Sequence, residues 1–119
     1  MLRDRILLLV FALLATHATA MTDLNSYRWK NRIVSIEAES SDCPTYQRQA
    51  ALLMAEFTGL LERDLIVLTT FTGSDFRVSL IGKDGGRKLT QKEPVTAAEL
   101  FALIDAMPMR PAEMTRSKS

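Results

Sequence analysis

Lys83-Asp84-Gly85-Gly86 separates a run in which Phe76, Val78 and Leu80 alternate with Arg77 and Ser79 from a second short run, Arg87 to Thr90. No other stretch restricts the fold so strongly. An Asp-Gly step supplies the positive φ of a tight hairpin at little steric cost, so the two runs are predicted to be antiparallel neighbours. The alternation makes the first of them a half-exposed strand. Gly82-Lys83-Asp84-Gly85-Gly86 lacks the spacing of a phosphate loop and precedes a strand rather than a helix, so it is read as a hairpin and not as an anion site.

Upstream, Arg32 to Ala38 is β-branched and partly alternating and runs into the polar Glu39-Ser40-Ser41-Asp42, which predicts a first strand and a loop. Pro44 suits a first helical turn. Tyr46, Ala50, Leu53, Phe57 and Leu60 then recur at steps of four, three, four and three, as one stripe of a helix ending near Leu61-Glu62-Arg63. Leu65 to Leu68 is an uninterrupted apolar run, expected of a strand covered on both faces. Thr96 with Glu99 forms a capping box for a last helix with the face Leu100, Leu103, Ile104 and Met107, ended by Pro108 and Pro111. The order is β-α-β-β-β-α. It predicts an α/β fold: one small thioredoxin-like domain with a four-stranded mixed sheet and two helices. A different α/β sandwich is compatible with the same order.

The N-terminus pairs Arg3 and Arg5 with the apolar run Ile6 to Ala15 and the small-residue site Ala18-Thr19-Ala20, the pattern of a secretory signal over residues 1–20. Ten apolar residues are too few for a membrane span, which needs about 20. The expected product is a soluble, exported, periplasmic or extracellular monomer with no membrane span after cleavage. It comprises a domain over residues 21–110 and a flexible tail over 111–119. Arg3, Arg5 and Asp4 leave with the signal, so the remaining 99 residues balance 13 basic against 13 acidic side chains and make no electrostatic case for nucleic acid. His17, the one histidine, leaves too, which excludes histidine-assisted nucleophiles and histidine-containing metal sites from the mature domain. One cysteine forms neither a CxxC pair nor an internal disulfide. No metal and no cofactor is expected.

Tyr27-Arg28-Trp29-Lys30-Asn31-Arg32, Glu62 to Leu68, Leu80 to Leu89 (LIGKDGGRKL) and Leu100 to Arg110 (LFALIDAMPMR) together resemble domain-of-unknown-function family 4174. That family occurs in exported bacterial proteins and in animal matrix proteins related to the sushi-repeat-containing proteins. The resemblance implies a thioredoxin-like, peroxiredoxin-like fold with no established biochemical activity.

Two places carry candidate chemistry. Cys43 falls in the first turn of the first helix, where unpaired N–H groups and the helix dipole favour a thiolate, and Ser40 precedes it by three residues. Asp42 opposes that effect, and no second cysteine resolves an oxidised one. At the opposite pole the four family-like segments converge, gathering Trp29, Arg32, Arg63, Asp64, Lys83, Asp84, Asp105 and Arg110, with Arg28, Lys30 and Met109 beside them. These residues form either a solvated ion-pair network or a binding surface for an unknown protein or anionic glycan of the envelope. Two functions follow: a non-catalytic interaction module using that pole, or a one-cysteine, peroxiredoxin-like thiol enzyme using Cys43.

Overall fold

The computed structural model describes residues 24–118. The signal-like segment 1–20, with His17, lies outside the described residues. After a 3-10 turn at Leu24–Tyr27 come β1 (Arg32–Ala38), α1 (Pro44–Met54), α2 (Phe57–Glu62), β2 (Leu65–Phe71), β3 (Arg77–Ile81), β4 (Arg87–Gln91), α3 (Ala97–Asp105) and α4 (Arg110–Lys118). The strands form one mixed sheet whose order, β2-β1-β3-β4, differs from their order along the chain. β1 runs parallel to β2, with Arg32 opposite Leu65, and antiparallel to β3, with Val34 opposite Leu80. β3 pairs antiparallel with β4 through the Asp84-Gly85 turn, in which Gly85 has φ of 85° and the Asp84 carboxylate accepts from Gly86 N–H at 2.8 Å.

Alternation divides β1 between two layers. Val34, Ile36 and Ala38 join Val78 and Leu80 under the helices, where Tyr46, Ala50 and Leu53 of α1, Leu60 of α2 and Leu100 and Ile104 of α3 complete one core. Ile33 faces the other way and packs with Leu68 and Ile81 beneath Tyr27 and Ile66. Gln49, fully buried on α1, ties the helix layer to the loop before α3. Its side-chain amide donates to Val95 O at 2.9 Å and its carbonyl accepts from Val95 N at 2.8 Å. Thr96 caps α3, its hydroxyl accepting from Glu99 N at 3.1 Å.

The expected two-helix, β-α-β-β-β-α arrangement is corrected: there are four helices, and the order is β-α-α-β-β-β-α-α. The long first helix breaks at Ala55–Glu56, where Glu56 leaves helical geometry with φ −120° and ψ 34°. The break turns Phe57 out of the stripe predicted for it, half exposed, while Leu60 stays in the core. Leu103, expected on the buried face of α3, is likewise exposed. Residues Arg110–Lys118, most of the stretch expected to be a tail, form α4, and Pro111 occupies its first turn rather than ending the helix before it. β2, expected to be covered on both faces, lies at a sheet edge, and Ile66 and Val67 are only half-buried. No helix among the described residues is long and apolar enough to cross a membrane.

Candidate functional site

Four chain turns meet at the start of β1. Arg32 opens that strand, Asp64 ends the turn between α2 and β2, Lys83 stands in the β3–β4 turn, and Arg110 and Glu113 belong to the first turns of α4. Asp64 takes the left-handed conformation, φ 52°, just beyond the C-terminus of α2, a place where an Asp is tolerated better than most side chains. Its own carbonyl accepts from Arg32 N–H at 2.9 Å, which starts β1 in register beside β2.

Glu113 is the centre of the assembly. Arg32 grips it with two parallel bonds, Nη1 to Oε1 at 2.8 Å and Nη2 to Oε2 at 3.0 Å, and Lys83 Nζ donates to Oε2 at 2.8 Å. Lys83 also reaches Asp64 Oδ2 at 2.8 Å. Beside them Arg110 donates through Nε to Asp105 Oδ1 at 2.9 Å and through Nη2 to Glu62 Oε1 at 3.2 Å. Arg63 closes the row with two bonds to Asp105, at 3.1 and 3.0 Å, and stacks 3.9 Å over the Phe101 ring. Arg32 and Arg110 are each only 1% exposed, and Lys83 and Glu113 are buried as well. Every buried side-chain nitrogen and oxygen among the described residues has a hydrogen-bond partner.

Electrostatics follows from this packing. Burial acts to raise the Glu113 carboxyl, but the hydrogen bonds from Arg32 and Lys83 outweigh it and hold the group below its ordinary value. Asp105 is also held low, first by its bond from Arg63 and then by Arg110 against the opposing effect of burial. The buried cations Arg32, Lys83 and Arg110 are thus all paired, with the buried Glu113 at the centre and the part-exposed carboxylates of Asp64, Asp105 and Glu62 at the rim, which makes the assembly a clasp between segments.

The structure therefore brings together six of the predicted site residues, Arg32, Arg63, Asp64, Lys83, Asp105 and Arg110, and adds Glu62 and Glu113, which the sequence reading missed. The other two stand outside the clasp. Asp84 is exposed and pairs with Lys88 at 2.9 Å. Trp29 is 60% exposed and sits in the left-handed region, φ 69°, with its N–H donated to Lys83 O at 2.6 Å. It borders an open cavity of about 270 Å³ that Met107, Pro108 and Met109 line on the helix side and Lys83 and Lys88 on the hairpin side. Arg28 lies 5.7 Å from the indole centroid and donates to Asp84 O at 3.0 Å.

Cys43 lies beyond the far end of β1 from this assembly. It is a free, half-buried thiol at the N-cap of α1, packed against the core, and its backbone N–H donates to Ser40 O at 3.2 Å. The Ser40 hydroxyl accepts from Asp42 N at 3.3 Å. Among the described residues no group of three or more His, Cys, Asp and Glu side chains could hold a metal ion.

No curated protein matches the chain. Residues 70–113 match the profile of a family described as a domain of unknown function, DUF4174, a span that runs from the end of β2 to Glu113 and includes Lys83, Asp105 and Arg110.

Proposed function

We propose that the chain is an exported, non-catalytic binding module that takes a partner protein through the groove beside Trp29. The observation that carries this reading is the indole itself. A tryptophan in left-handed backbone costs on the order of 1–2 kcal/mol, and such strain persists where surrounding structure enforces it. Here the enforcing contact is Lys83 O, whose residue is clamped by Asp64 and Glu113. The result is an exposed aromatic on a tethered backbone beside a methionine-lined cavity, the composition of an interface anchor. A protein segment fits this groove better than a sulfated glycan, because Arg32, Lys83 and Arg110 are already bonded to carboxylates.

Capture from a cell-envelope extract, run beside thermal unfolding, tests the reading. Trp29→Ala abolishes capture while the unfolding midpoint stays within a few degrees, and Cys43→Ser leaves both unchanged. Because Trp29 is the one tryptophan, its emission also shifts to the blue when a purified partner covers it. Capture that survives Trp29→Ala but disappears with Cys43→Ser would place the function at the other end of the sheet.

A further inference from the structure

β2 closes one side of the sheet, and nothing in that strand guards it. Edge strands are normally kept from pairing further by charges, prolines or bulges. β4, at the opposite edge, has Arg87 and Lys88 and a register irregularity opposite Leu80 and Ile81. Leu65-Ile66-Val67-Leu68-Thr69-Thr70-Phe71 has no charge and no proline, and it pairs with β1 in unbroken register over all seven residues. Among the described residues no strand meets its outer side, so the backbone N–H and C=O groups that alternate away from β1 have no strand partner.

Two exposed apolar side chains stand in the helix layer beside this edge. A Cβ on Gly59 would meet the Phe101 ring at 2.6 Å, and Arg63 stacks on that ring, so both residues lie on the flank of α2 that faces α3. Leu60 points into the core. At about 100° per residue, Phe57 and Leu61 fall on the opposite flank, above the outer side of β2. They are 50% and 60% exposed.

We propose that β2 is a contact between two copies of this chain, paired antiparallel about a two-fold axis near Leu68 to make one eight-stranded sheet. A second copy is the occupant that fits. An uncharged strand set antiparallel to itself presents each outward donor to an acceptor, and the two-fold axis brings each Phe57–Leu61 flank against its counterpart. The same operation at β4 would set Arg87 and Lys88 against their own copies. The contact is independent of the Trp29 groove and replaces the monomer expected from sequence.

Sedimentation equilibrium and amide hydrogen exchange on the full chain, each at high and low concentration, test the contact. The expected result is a dimer whose Leu65–Phe71 amides are protected at high concentration and lose that protection on dilution. Leu61→Lys weakens self-association by about tenfold or more without changing the circular dichroism spectrum. Sedimentation as a monomer throughout overturns the proposal, as does a dimer in which exchange along β2 is independent of concentration. If Leu61→Lys does not fold, the wild-type exchange data decide alone.

Discussion

Glu113 is a single carboxylate answering two buried cations, so its removal is felt at Arg32 and Lys83 rather than at its own position. Glu113→Gln should lower stability by about 3–5 kcal/mol, because breaking a buried pair leaves the partner charge uncompensated. Urea unfolding at neutral pH measures it. The acid side of the stability profile carries the same signature. The folded carboxyl lies below its ordinary value of 4.5, so the unfolded chain takes up the proton more readily. The contribution is complete above the ordinary value and fades as pH falls through the folded one. Wild-type stability should therefore decline below about pH 4.5, and Glu113→Gln should show a shallower decline over the same range. At Trp29 the backbone rather than the side chain sets the expectation. Trp29→Gly should be more stable than Trp29→Ala by about 1 kcal/mol, since glycine alone meets φ 69° without strain. Paired thermal melts of the two variants check this, and equal midpoints would show that the turn relaxes.

At the scale of elements, α2 shows a helix shaped by its neighbour. Glycine inside a helix normally costs about 0.5–1 kcal/mol against alanine. Gly59→Ala should nevertheless destabilise, by roughly 1–3 kcal/mol, because the new methyl would enter the Phe101 ring under Arg63. For α3 the expectation is ordinary, a loss of about 1 kcal/mol for Thr96→Ala, readable by denaturant unfolding. The same elements show what a sequence can reveal. β1, β3 and β4 were legible because alternation and the Asp84-Gly85 step are local signals, β2 from its uninterrupted apolar run, and the start of α3 from Thr96 and Glu99. The break between α1 and α2 was not, since Ala55 and Glu56 are good helix formers and the apolar stripe continues across them. α4 was missed for a different reason. Pro111 serves as well in a first turn as after a last one, and the polar run Arg110–Lys118 gives periodicity little to detect. The proximity of six clasp residues could be read from sequence because they sit at element ends, whereas Glu113, at their centre, lay in the segment taken for a tail.

Across the whole molecule, α4 is fastened chiefly by buried charge, and buried charge is poorly screened. Raising ionic strength to about 1 M, where the screening length is about 3 Å, should move the unfolding midpoint little, because the central pairs of Arg32 and Lys83 with Glu113 are out of reach of salt. A steep fall with salt, followed by calorimetry, would mean that the clasp opens to solvent. The clasp also has a consequence for how the protein is made. Arg32 and Glu113 are 81 positions apart. A ribosome delivers them in sequence, so every nascent chain that has not reached Glu113 holds Arg32 and Lys83 without their shared counter-ion. Burying two cations in that state is unfavourable, and a contact so distant along the chain forms late. Synthesis order thus keeps the growing polypeptide open, and a product terminated before Glu113 would stay open, as a substrate for proteases rather than a smaller version of the fold.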